Sequence, residues 1–314
     1  MFESIEKVQD ACARGEYITD RALATTIYLA HNLNKPIFLE GEPGVGKTEV
    51  AKVLANITGG KLIRLQCYEG LDTNSALYEW NYTKQILQLR IDEAQGVDKD
   101  QIGANLFSET FLLKRPLLEA IQSDGGAPPV LLIDEVDRSD SEFEAFLLEV
   151  LSDFQITIPE IGTIHAKHIP YVVLTSNRTR EVHEALKRRC LYQWIDYPSL
   201  QKELSIVKTK LPHINNHLAR QLCNMMQIWR EGDYYKKPGV AETLDWGLAL
   251  IALGKDALDP DIVDETLGCL FKYQDDVQRA QGEDLHEFIA RAKRLSDSSP
   301  DEESEKADWV YSDG

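Results

Sequence analysis

Residues 41–48, Gly41-Glu42-Pro43-Gly44-Val45-Gly46-Lys47-Thr48, are the stretch of this sequence best equipped for chemistry. They fit G-x-x-x-x-G-K-S/T, the spacing of a loop that wraps a phosphate. Gly41, Gly44 and Gly46 lack a Cβ, so successive N–H groups can turn inward and ring an anion. A helix starting near Gly46 would point its positive dipole end at the same anion. Lys47 has the reach for β- and γ-phosphates, and the Thr48 hydroxyl suits a Mg²⁺ position. The motif needs a strand before it and a helix after it. The apolar run Ile37–Leu39 supplies the first, and Val50, Val53 and Leu54 at helical spacing supply the second.

Two further polar groups follow apolar runs. Val130-Leu131-Leu132-Ile133 leads to Asp134-Glu135, and Tyr171-Val172-Val173-Leu174 leads to Asn177. Short, wholly apolar runs read as central strands of a parallel sheet, and such sheets bind ligands at the carboxyl ends of their strands. There Asp134 would hold Mg²⁺ through water, and Glu135 would orient or deprotonate the attacking water. The Asn177 amide could hold that water against the γ-phosphate. An Asp-Glu pair alone more often just caps a helix; its place after a buried strand, downstream of a phosphate loop, gives it meaning. Lys187-Arg188-Arg189 closes a short helical stretch, where basic residues suit the helix dipole. One of these arginines could be a finger reaching a neighbouring subunit's γ-phosphate.

These residues need a frame. The chain has 314 residues, enough for two domains and a substantial core. Up to Pro198 strands and helices alternate, which implies a parallel sheet covered by helices on both faces. Expected helices span 4–14 and 20–32 (with Thr19 as N-cap), 85–94, 111–121, 141–151 and 181–188. Expected strands lie at 61–66, 155–158, 163–166 and 192–195, the second and third forming a hairpin around Pro159–Gly162. Residues 199–231 and 240–294 read as helices. The expected organisation is an α/β nucleotide-binding domain over 1–197, with an insert at about 68–110 and the hairpin at 155–166, then a helical domain over 198–294 and an acidic disordered tail over 295–314.

Composition narrows the function. Asp and Glu number 52 against 34 Lys and Arg, a formal net charge of −18. Such a balance disfavours general nucleic-acid binding, which depends on neutralising phosphates. The five cysteines are far apart and have no metal-ligand spacing. They read as reduced thiols of a cytoplasmic protein. No basic start followed by an apolar stretch marks a signal peptide, and no apolar run approaches membrane-spanning length.

The order of phosphate loop, Asp-Glu strand, polar strand end, arginine pair and helical region resembles the AAA+ ATPases over about residues 15–290. The insert and the hairpin are similar to those of the MoxR-type members. Arg64-Leu65-Gln66-Cys67-Tyr68-Glu69-Gly70-Leu71-Asp72 and Lys237-Pro238-Gly239-Val240-Ala241-Glu242-Thr243-Leu244-Asp245-Trp246 resemble a branch associated with maturation of metalloenzymes, including carbon monoxide dehydrogenase. The resemblance implies a three-layer P-loop core with a C-terminal helical lid, ATP and Mg²⁺ as cofactors, and a homo-oligomeric ring, commonly a hexamer, with ATP at subunit interfaces. It also implies chaperone-like remodelling together with a partner bearing a von Willebrand factor A domain. It selects Arg189 as the finger, aligned with the Arg of a Leu-Asp-Arg-Phe pattern, with Arg188 as the second choice. Where the family often has a lid Arg in Ser-Pro-Arg-Ala, this chain has Ala241, so the lid sensor is either lost or replaced by Lys237.

Two other classes stay open: a nucleotide-switched scaffold, and a DNA-associated motor. Glu135 favours hydrolysis over a pure switch, and the acidic balance disfavours the motor. Guanine specificity is not expected, because Ile37 stands where an N-K-x-D motif beginning at Asn34-Lys35 would need Asp.

Overall fold

The computed structural model describes residues 2–96, 106–282 and 284–297. The chain divides into two units, Met1–Asp196 and Tyr197–Gly314.

In the first unit, helix Ile5–Arg14 is capped by Ser4. Helix Arg21–Leu33 is capped by Asp20 rather than Thr19: the Asp20 carboxylate accepts the Leu23 N–H at 2.8 Å. A carboxylate there satisfies an orphan donor and meets the dipole with its charge. Strand β1 is Ile37–Gly41, followed by helix Lys47–Thr58 and β2, Leu62–Gln66. The insert holds helix Thr73–Leu77, β3 (Tyr78–Trp80), helix Tyr82–Gln95 and β4 (Leu112–Lys114). Then come helix Pro116–Ile121, β5 (Val130–Asp134), helix Ser141–Asp153, and the hairpin of β6 (Gln155–Ile158) and β7 (Gly162–His165). Strand β8 (Tyr171–Ser176), helix Glu184–Arg189 and β9 (Leu191–Ile195) complete the unit.

Five strands make one sheet in the order β2-β5-β8-β1-β9, with every pairing parallel. Every residue of β1 and β5 is buried, as strands covered on both faces must be. Edge strand β2 alternates instead, with Ile63 and Leu65 buried and Arg64 and Gln66 exposed. Because β8 lies between β1 and β5, its polar end stands between the phosphate loop and the Asp-Glu pair. The result is an α/β unit built on a parallel sheet, with the phosphate loop leaving the carboxyl end of β1.

The expected helix 111–121 is a strand and a shorter helix. Leu112–Lys114 pairs antiparallel with Tyr78–Trp80, and the helix begins only at Pro116. Proline suits the first helical position, yet it pushes the residue before it, Arg115, into extended backbone. The helix expected from Glu181 begins at Glu184, because the segment before it is tied down by side chains. Part of the expected insert, residues 97–105, lies outside the described residues.

The second unit is helical: Leu200–Lys210, Asn216–Glu231, Val240–Ala252, Pro260–Thr266, Gln274–Ala280 and Leu285–Asp297. Its core centres on Trp229, whose ring lies 5.4 Å from Trp246 and 5.5 Å from Phe271. The last helix runs to Asp297, past the expected start of the tail at 295; the acidic remainder lies outside the described residues.

Candidate nucleotide site

The phosphate loop is shaped by its glycines. A Cβ on Gly41 would lie 2.1 Å from the Ile195 carbonyl oxygen, so only glycine lets β1 pass β9 there. Gly44 and Gly46 sit at φ 79° and 93°, backbone that side chains resist, and Gly46 is the N-cap of helix Lys47–Thr58. The Lys47 ammonium is buried and donates to the carbonyls of Gly41 and Glu42, both at 2.7 Å. Burial lowers its pKa to about 8, with Asp137, Glu42, Asp134 and Glu135 pulling the other way.

Opposite the loop, Thr48 Oγ1 donates to Asp134 Oδ1 at 3.1 Å, and Thr175 Oγ1 donates to the same oxygen at 2.5 Å. The Thr175 hydroxyl also accepts the Glu135 N–H at 2.9 Å. One buried hydroxyl on β8 thus ties the two carboxylate residues together. Glu135 itself is left-handed, with φ 54°. That region is sparsely populated by non-glycine residues and concentrates at functional sites. Its side chain pairs with Arg138 at 3.2 Å.

Asn177 directly follows β8, as expected. Its backbone N–H faces both oxygens of the buried Asp137 carboxylate, 3.3 Å from each, and the Thr179 N–H and hydroxyl donate to Asp137 Oδ2 at 2.8 and 2.7 Å. A second buried carboxylate, Glu144, accepts the His183 N–H at 2.6 Å and pairs with Arg180. Residues 177–183, the path from Asn177 to the arginine helix, are therefore held by two carboxylates, Asp137 in the turn after Glu135 and Glu144 in helix Ser141–Asp153.

Sequence reasoning did not single out Thr175, Asp137, Glu144 or Arg64 as site residues. A hydroxyl at the polar end of an apolar strand was the available sign for Thr175. Nothing local marks Asp137 and Glu144, whose partners lie 36–42 residues away in sequence. Arg64, on β2, pairs with Asp134 Oδ2 at 2.6 Å.

The basic trio separates. Lys187 lies 3.5 Å from the buried Glu40 of β1, and Tyr192 donates to the same carboxylate at 2.9 Å. Arg188 pairs with Glu184 at 2.7 Å, and Arg189 donates to the Leu148 carbonyl at 3.2 Å. Both arginines are exposed and bond away from the Lys47–Asp134 cluster. In the second unit, Ala241 occupies the first turn of helix Val240–Ala252 and is exposed, while the Lys237 carbonyl accepts from the Tyr197 hydroxyl at 3.3 Å.

The residues fit a magnesium ion. Thr48 and Asp134 are adjacent hard-oxygen donors, and Mg²⁺ binds through one or two such side chains together with nucleotide phosphates and water. Among the described residues no group of three or more His, Cys, Asp or Glu side chains could hold a metal by itself. All five cysteines are free. Burial pushes the thiols of Cys12, Cys67 and Cys190 up to about 11, 12 and 12, against any nucleophilic role.

Residues 36–190 match the family model of the AAA domain (dynein-related subfamily). An uncharacterised protein of Staphylococcus aureus (strain bovine RF122 / ET3-1) is 29% identical over 174 residues, 53% of this chain and 57% of that protein. Lon protease 3 of Sorangium cellulosum is 32% identical over 132 residues, 40% of this chain and 13% of that protein. The chain therefore spans little more than half the length of the first of these relatives and far less of the second. Among solved structures, a candidate ATPase from Cytophaga hutchinsonii is 16% identical, covering 93% of both chains at a TM-score of 0.46. The Thermotoga maritima RuvB Holliday junction branch migration motor is 17% identical, covering 79% of this chain and 67% of that one at 0.43. The matched stretch lies within the first unit and takes in the phosphate loop, Asp134-Glu135, Asn177 and Arg189. No helix among the described residues is long and apolar enough to cross a membrane.

Proposed function

We propose that this chain is a Mg²⁺-dependent ATPase that assembles as a homo-oligomeric ring, a hexamer, and uses hydrolysis to remodel a partner protein, with a metalloenzyme as the client. The observation that carries the ATPase reading is the joint anchoring of Asp134 and Glu135 by the Thr175 hydroxyl, with Thr48 of the phosphate loop bonded to the same Asp134 oxygen. A binding-only switch needs no acid beside the metal position; this chain supplies Glu135 on a left-handed turn one residue past it.

The loop amides of residues 41–48 and Lys47 would bind the phosphates. Thr48 and Asp134 would hold Mg²⁺, which neutralises charge developing on the phosphates. Glu135 would take the proton of the attacking water, and Asn177 would hold that water in line. Arg189 would act across a subunit boundary, where its exposure leaves it available. AAA+ domains typically assemble as rings, which supports that assignment. The remodelling role and the von Willebrand factor A partner rest on the resemblance to the MoxR-type members, the metalloenzyme client on the resemblance at residues 64–72 and 237–246, and a cytoplasmic location on the widely spaced cysteines read as reduced thiols.

The test is capture of Glu135→Gln, loaded with ATP, from extract of the source cell, followed by mass spectrometry. A von Willebrand A protein recovered with a metalloenzyme subunit is the expected result. Recovery of nucleic acid and its processing enzymes would overturn the client assignment, and a ring recovered alone would favour a nucleotide-switched scaffold.

A further inference from the structure

We propose that Arg64 is a tethered cation that occupies the metal-binding carboxylate in the nucleotide-free chain and is displaced when Mg²⁺ arrives with the nucleotide. The inference rests on the ATPase reading above.

Asp134 is almost fully enclosed, its side chain 5% exposed. Its Oδ1 accepts two hydroxyls, from Thr48 and Thr175. Its Oδ2 is taken by the Arg64 guanidinium at 2.6 Å. A buried carboxylate without a cation is costly, and two hydroxyls do not neutralise it. Arg64 places a positive charge in direct contact with it.

Mg²⁺ would bring two further positive charges to the same carboxylate. Two cations at one carboxylate repel, so the metal and Arg64 compete for Asp134. Arg64 is the partner free to leave. Its side chain is 55% exposed, on the outward face of the edge strand β2. An alternative acceptor is already in reach: Gln66 Oε1, two residues on along the same face, lies 2.6 Å from the same guanidinium nitrogen. Arg64 can release Asp134 and keep that bond without any backbone movement. The pair thus keeps Asp134 aimed at Thr48 before nucleotide arrives, and it raises the Mg²⁺ concentration needed to complete the site. Arg64 is a positioning residue acting through Asp134.

The test uses the full chain and a fluorescent ATP analogue, with affinity measured in EDTA and across a Mg²⁺ titration. Mn²⁺ occupancy, read by electron paramagnetic resonance, reports the metal directly. In EDTA, Arg64→Gln should bind nucleotide within about twofold of wild type, because the loop amides and Lys47 are untouched. The metal midpoint should fall by about tenfold, as expected when a charged competitor at one carboxylate is lost. Arg64→Lys, which keeps the charge but loses the planar fork, should lie between the two. Thermal unfolding in EDTA confirms that each variant is folded. An unmoved or raised metal midpoint in Arg64→Gln would overturn this inference alone. Absence of nucleotide binding by wild type under every condition would overturn the ATPase reading, and this inference with it.

Discussion

The buried carboxylate of Asp137 faces the backbone N–H of Asn177, 3.3 Å from each oxygen, and so fastens the polar end of β8 to the turn that presents Glu135. The same carboxylate takes the N–H and hydroxyl of Thr179. The two groups assigned to the attacking water are therefore set by one side chain that need not touch it. Asp137→Asn keeps the volume and removes the charge that strengthens these bonds. Nucleotide affinity and KM should stay within about twofold, while kcat falls by about 10- to 100-fold, the cost of misplacing a catalytic group. Steady-state kinetics with parallel nucleotide titration separates this from general damage, which would move affinity and Tm together.

Lys47 gives the site a pH dependence with a definite sign. Its pKa is near 8 in the folded chain, against 10.5 unperturbed, because its ammonium is buried. The fold carries the cost of that charge below pH 8. Between about 8 and 10.5 the folded chain gives up the proton that the unfolded chain keeps, so this group adds stability as pH rises through that window. Bound phosphate favours the charged form. Nucleotide affinity should therefore be highest below pH 8 and weaken above it, approaching about tenfold per unit. Titrations from pH 7 to 9.5 check this, and flat affinity would contradict it. Lys47→Ala should lower affinity by about 100-fold or more, through lost charge-assisted contacts to phosphate.

In the second unit, Glu203 and Arg230 form a buried bidentate pair at 2.6 and 2.7 Å. Thr243 and Gln227 also donate to Glu203, at 2.7 and 2.8 Å, and Arg230 Nε holds the Pro238 carbonyl at 2.8 Å. Glu203→Ala strands a buried guanidinium and should cost about 3–5 kcal/mol. Urea unfolding followed by tryptophan fluorescence reads this, since Trp229 and Trp246 lie in that unit's core. A loss below about 1 kcal/mol would show that solvent reaches the pair.

Arg189 should act only between subunits. Arg189→Ala should bind ATP normally and lose up to about 10³-fold in turnover. Mixing it with Lys47→Ala should restore part of the activity, by placing an intact Arg189 against an intact site. No recovery at any mixing ratio would contradict action across a boundary.

The sequence carried the phosphate loop, the Asp134-Glu135 pair and Asn177 because each is a local pattern at the end of an apolar strand. β1 and β5 read easily because strands buried on both faces are continuous apolar runs. Strand β4 did not, since Leu112–Lys114 owes its form to pairing with Tyr78–Trp80, more than thirty residues back. The two buried carboxylates behind the site, Asp137 and Glu144, were invisible for the same reason: their partners are joined by the fold and not by spacing. Arg64 drew notice only as part of a resemblance, because an exposed arginine on an edge strand shows nothing until its neighbour β5 is in place.

The central claim is that this site hydrolyses ATP with Glu135 as the base. The most direct test measures bound nucleotide and released phosphate in the same samples of wild type and Glu135→Gln, with Mg²⁺ present. Equal ATP occupancy is expected in both, with phosphate release lower by about 10²–10⁴-fold in the variant. Equal occupancy with undiminished release would remove Glu135 from the chemistry, and absence of ATP binding by wild type would contradict the account as a whole.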